Sequence, residues 1–107
     1  MAKNFIDFEL IEKLSAKDSL ETVPMSNKII KAQEEMGELS AAFLKFIGSK
    51  NVSASQNNKG KEDVLEEACD VINVVIDIIN NLDYSDIEVK EMFSKKLAKW
   101  ERKTEAY

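Results

Sequence analysis

Over residues 64–82 the side chains of Val64, Leu65, Ala68, Val71, Ile72, Val75, Ile76, Ile78, Ile79 and Leu82 recur at helical spacing. At about 100° per residue they cover about half of a helix circumference. A β-strand would alternate with period two, which this segment does not. The rest of the chain agrees with a helical reading. Three glycines and one proline in 107 residues are too few for the many tight turns of a β-sandwich.

The same periodicity predicts three more helices and no strands. The first runs from about Asn4 to Leu14, with Phe5, Phe8, Ile11 and Leu14 at helical spacing. A connector, "SAKDSLETVP", ends in Pro24, a residue suited to the start of a helix. The second helix spans about Met25 to Ile47, with Ile29, Met36, Phe43 and Ile47 on one side, and Gly48 stops it. Residues 48–61 are polar and rich in Ser, Asn, Gly and Lys, which predicts a solvated loop. The third helix then runs from about Glu62 to Leu82, its first acids facing the positive end of the helix dipole. The fourth opens at "SDIE", where Ser85 and Glu88 have capping-box spacing, and carries Val89, Phe93, Leu97 and Trp100 as its apolar stripe. The expectation is one all-α domain over residues 1–107, a four-helix bundle.

Composition removes several classes of chemistry. With no histidine, a Ser-His-Asp or Cys-His mechanism within one chain is excluded, as are the Glu-x-x-His pairs of di-iron bundles. One cysteine, Cys69, cannot form an intrachain disulfide or a multi-thiolate zinc site; a small buried residue is expected there. A net charge of -5 argues against nucleic acid as a partner. No signal-type apolar segment and no membrane-length run is present, so a cytoplasmic protein is expected.

What remains is carboxylates. The polar half of the third helix holds Glu66, Glu67, Asp70, Asn73, Asp77, Asn80 and Asn81. Solvated helix faces usually interleave bases with acids, yet no base lies between Glu62 and Leu82. Such a face needs a cation, from a metal or from another helix. The second helix supplies a matching edge: Glu35 and Glu38 are three residues apart, as are Glu67 and Asp70. On antiparallel neighbours the two pairs would bring four carboxylates together, a hard-oxygen set suited to Mg²⁺ or Mn²⁺. Gly37 lies between the first pair at a cost of about 1 kcal/mol in a helix interior, which predicts close approach of a neighbouring helix there.

These motifs resemble those of the MazG-type all-α nucleoside triphosphate pyrophosphohydrolases. E-E-x-x-E stands in "EEMGEL" and E-x-x-D in "EEACDV", the latter leading into an apolar run. The match covers the second and third helices, about half of the chain. It implies a Mg²⁺-dependent enzyme cleaving a nucleoside triphosphate between its α and β phosphates, to the monophosphate and pyrophosphate. Glu35, Glu38, Glu67 and Asp70 would be the metal ligands and carry the catalysis. The resemblance also implies a MazG-like bundle completed by oligomerisation, as a homodimer or homotetramer.

Around that set, Glu34 is either solvated or placed to orient a ligand, and Asn73, one turn after Asp70, is a candidate substrate contact. Asp77 is expected to pair structurally. Lys31 and Lys45 flank the first motif and either pair with its acids or reach phosphate. In the basic end of the fourth helix, Lys96 and Lys99 are candidate phosphate contacts, within the chain or across a subunit boundary, whereas Trp100 is expected in the core. Two alternatives stand beside this reading. Phosphoribosyl-ATP pyrophosphohydrolase shares the acidic motifs, but its apolar-Tyr-His continuation is replaced by "DVIN". A non-catalytic helical interaction module would keep the apolar faces without needing both acid pairs.

Overall fold

The computed structural model of the chain describes residues 5–17, 23–48 and 58–105. Four helices make up the described residues: α1 (Phe8–Lys17), α2 (Met25–Ile47), α3 (Asn58–Asn80) and α4 (Asp86–Glu105), with no strand among them. None is long and apolar enough to cross a membrane. Expectations for Asn4, for residues 18–22 of the connector and for residues 49–57 of the polar loop lie outside the described residues.

Helix limits follow local chemistry. α2 begins directly after Pro24 and ends at Gly48, as expected. Gly48 caps it at φ -85, so the glycine is not used for a left-handed turn. α4 starts with the expected reciprocal box: the Glu88 N–H donates to Ser85 Oγ at 3.1 Å, and the Ser85 N–H donates to Glu88 Oε1 at 3.0 Å. Donation to the Glu88 carboxyl from the Ser85 backbone N–H, and next from the Ser85 hydroxyl, holds it below its ordinary pKa. The turn before it places Asp83 at φ 55, a conformation that a short polar side chain tolerates.

Two limits differ from expectation. α1 starts at Phe8 rather than near Asn4, because Asp7 Oδ1 accepts the Leu10 N–H at 2.9 Å and caps the helix there. It also continues past Leu14 to Lys17. α3 starts at Asn58 rather than Glu62, so residues 58–61 belong to a helix and not to the loop. Its first turns include a Lys59–Asp63 pair at i, i+4, 3.8 Å apart.

α2 and α3 pack along much of their length, and α1 packs on α3. Lys28 meets Asp77, while Glu35 and Glu38 meet Asp70 and Glu67. Rising numbers on α2 thus match falling numbers on α3, so the two run antiparallel. Gly37 does not fit its expected role: a Cβ built there would meet nothing within 4 Å. The close approach predicted at that position is absent.

The interior is polar. Among the described residues the buried ones are Ser15, Lys28 and Glu35, and no hydrophobic residue is fully buried. α4 packs on no other described helix, so Phe93, Leu97 and Trp100 lie open. Trp100, expected in the core, is 66% exposed. Cys69, expected to be buried, is exposed as well. The chain presents 8939 Å² of surface, whereas a compact monomer of 12.1 kDa presents roughly 6,000 Å². Its radius of gyration is 16.8 Å, against about 13 Å for a compact domain of this length.

Candidate metal centre

Positions 35 and 38 on α2 and positions 67 and 70 on α3 fall where the two helices face each other. One carboxylate oxygen from each of Glu35, Glu38, Glu67 and Asp70 lies within 4.8 Å of the others. A Mg²⁺ octahedron with bonds of about 2.1 Å measures about 4.2 Å between opposite oxygens. The present set spans up to 4.8 Å, somewhat wider than that octahedron.

The electrostatics of the cluster are those of acids short of a cation. Glu35 is only 5% exposed. Its Oε1 accepts from Lys31 Nζ at 2.7 Å, while its Oε2 is buried without a hydrogen-bond partner among the described residues. Glu67 Oε2 is buried and unpartnered in the same way. Burial pushes the Glu67 carboxyl above the ordinary carboxylate pKa, and a hydrogen bond shared with Glu38 raises it further. The charges of Glu38, Asp70 and Glu35 act in the same direction. Buried oxygens with no donor are unfavourable in water-free surroundings, and a hard divalent ion is the partner for which such a set is chemically suited.

The remaining predicted residues divide clearly. Lys31 pairs with Glu35, and its own pKa is raised first by that hydrogen bond and then by the Glu35 charge. Asp77 is structural, as expected: Oδ2 accepts from Lys28 Nζ at 2.7 Å and Oδ1 accepts from Asn81 Nδ2 at 3.1 Å. Glu34 is exposed, as is Lys45. Asn73 is exposed on the wall of a pocket between α1 and α3. Lys96 and Lys99 are on α4, which packs against neither α2 nor α3, so no helix packing within the chain carries them to the carboxylates.

One residue escaped the sequence reading. Lys28 is 3% exposed and ties α2 to α3 two turns from the acids, since Lys28 precedes Glu35 by seven residues and Asp77 follows Asp70 by seven. That matched heptad spacing was the available signal. A buried ion pair there sets how α2 and α3 align, and so how the two acid pairs meet. Ser15, also buried, accepts from Asn80 Nδ2 at 3.5 Å and anchors α1 at the same end of α3.

Comparison with protein-family models, with curated proteins and with solved structures returns no match to this chain.

Proposed function

We propose that this chain is a Mg²⁺-dependent nucleoside triphosphate pyrophosphohydrolase of the MazG-like kind, active as a homo-oligomer. It would cleave between the α and β phosphates and release a nucleoside monophosphate and pyrophosphate. The observation that carries the reading is the four-carboxylate cluster between α2 and α3 with two buried, unpartnered oxygens. Glu35, Glu38, Glu67 and Asp70 would hold Mg²⁺, with Mn²⁺ as a substitute of similar preference. When bound, the ion supplies charge neutralisation for the triphosphate and acidifies water.

The other roles belong to the chain itself. Lys31 fixes the Glu35 side chain through its 2.7 Å bond. A carboxylate of the cluster orients the attacking water and takes its proton. Asn73 faces the substrate beside the cluster. Lys96 and Lys99 would meet phosphate from a second copy, which agrees with the separation of α4 from its own α2 and α3. Each copy presents roughly 2,900 Å² more than a compact monomer, above the half-share of about 1,000–2,500 Å² that one partner of an obligate homodimer contributes, so surface is available for an assembly to cover.

A panel of nucleoside triphosphates with Mg²⁺, scored for pyrophosphate against orthophosphate, tests the activity. Pyrophosphate release supports it; release of orthophosphate alone contradicts cleavage between α and β. The open apolar stripe of α4 favours a second reading, a non-catalytic module that binds a helical partner. That module would show no Mg²⁺-dependent turnover with any nucleotide and would tolerate neutralisation of Glu38 and Asp70.

A further inference from the structure

A pocket of about 460 Å³ opens between α1 and α3, walled by Leu10, Ile11 and Leu14 on one side and by Cys69, Ile72 and Asn73 on the other. That volume lies in the range of small-molecule sites, about 300–1,000 Å³. Its place on α3 connects it to the carboxylates. Glu67, Asp70 and Asn73 are spaced by three residues, so each step turns about 60° in the same sense around the helix. The sequence of steps leads from the cluster to the pocket wall, and Asp70 stands at the boundary.

A second apolar concavity, of about 410 Å³ around Ile79, Val89 and Phe93, begins nine residues beyond Asp70. That is about 13 Å along the helix axis. A molecule whose phosphates sit at the cluster meets the first pocket within one turn and the second only after more than two.

The wall chemistry specifies what fits. Leu10, Leu14 and Ile72 present aliphatic faces to a flat ring. Most polar groups nearby are committed: Asp7 to the Leu10 N–H, Asp77 to Lys28 and Asn81, and the Ser15 oxygen to Asn80. Among the described residues the Asn73 side-chain amide has no hydrogen-bond partner. It offers a donor and an acceptor side by side, the pattern that pairs with the edge of a nucleobase.

We infer that this pocket seats the nucleoside end of a nucleotide, its base between the aliphatic residues of α1 and α3 and its edge on Asn73, while the phosphates lie at the carboxylate cluster. The inference rests on the proposed nucleotide chemistry of that cluster, but its test does not need turnover. Cys69 is the sole cysteine, is exposed and lines the pocket. Its rate of alkylation by iodoacetamide in the full chain with Mg²⁺ therefore reports occupancy. The probes are dCMP, dUMP, dTMP, dAMP and dGMP, with deoxyribose phosphate and pyrophosphate as controls that lack a base.

At least one nucleotide, at ten times its Kd, should slow alkylation about tenfold, whereas the controls should not. Leu10→Trp, at a half-exposed position that accepts bulk, should abolish protection and leave Mn²⁺ binding unchanged. Asn73→Ala should weaken protection without abolishing metal binding. Protection by deoxyribose phosphate equal to that by nucleotides would overturn the inference. So would protection by no nucleotide, or a thiol that reacts only once dilution dissociates an oligomer, which would give the pocket to a second copy. Pyrophosphate release with Cys69 unprotected removes the pocket and leaves the enzyme. Protection without turnover does the reverse.

Discussion

Between α2 and α3 the groups that close on each other are polar, while along α4 the groups left open are apolar. Lys28 and Asp77 meet at 2.7 Å, Lys31 meets Glu35 at 2.7 Å, and four carboxylates converge beside them. α4 carries Phe93, Leu97 and Trp100 on a stripe that no described helix covers. Polar geometry is demanding, and here two helices of one chain set it. Apolar burial is undirected and can be supplied by another surface. The difference teaches that the candidate site and the missing core have separate origins. One is a property of the α2–α3 pair and the other of surfaces that the described residues do not supply.

The largest effect is expected at the Lys28–Asp77 pair. Asp77→Ala should remove the 2.7 Å ion-pair partner of the buried Lys28 ammonium, and the loss of one partner of a buried pair costs up to about 3–5 kcal/mol. Chemical denaturation should read that loss, and metal affinity should fall with it as α2 and α3 lose their alignment. Retained stability would mean that Lys28 finds water or another acceptor. Next in size is the cluster. Glu38→Gln and Asp70→Asn should each lower Mg²⁺-dependent pyrophosphate release at least about a hundredfold, since residues behind metal ligands already account for about 10–100-fold. Circular dichroism should show both variants folded.

The α4 side is sharpened by a charge on its stripe. Leu97→Glu removes about 2 kcal/mol of apolar burial from an interface, or roughly a thirtyfold rise in the dimer dissociation constant. Sedimentation would read this, and an unchanged association would show that α4 lies outside the contact. The smallest effect is local. Ser85→Ala should cost about 1 kcal/mol through loss of the cap and should leave metal binding untouched.

Which parts could be read ahead of the structure depends on the range of the responsible interaction. Pro24, Gly48 and the Ser85–Glu88 box act within a turn, and the limits they set for α2 and the start of α4 stand as expected. The acid pairs are equally local, because a spacing of three residues on each helix already places both carboxylates on one side. The α1 start was misplaced because apolar spacing through Phe5 outweighed the Asp7 cap. The first turn of α3 was missed because residues 58–61 carry no apolar signal, although Lys59 and Asp63 stand at i, i+4. Lys28 with Asp77 required the alignment of two helices, a tertiary property. Burial at Cys69 and Trp100 was misjudged for another reason: an apolar face states what a side chain needs, and the neighbouring surface decides whether it receives it.

The central claim is that the converging acids exist to hold a divalent ion, and proton linkage tests it. In the metal-free fold Glu67 has a raised pKa, so between the ordinary carboxylate pKa and that raised value the folded state binds more protons than the unfolded one. The contribution of Glu67 to metal-free stability is therefore full below the ordinary carboxylate pKa and is lost as pH rises through the raised one. An ion at the cluster competes with that proton. Titration calorimetry of Mn²⁺ into the full chain, in buffers of different ionisation enthalpy, should show binding that tightens from acid to neutral pH with release of protons, and Glu67→Gln should reduce the release above the ordinary carboxylate pKa. Absence of Mn²⁺ binding at neutral pH, or binding that neither releases a proton nor responds to Glu67→Gln, would contradict the account.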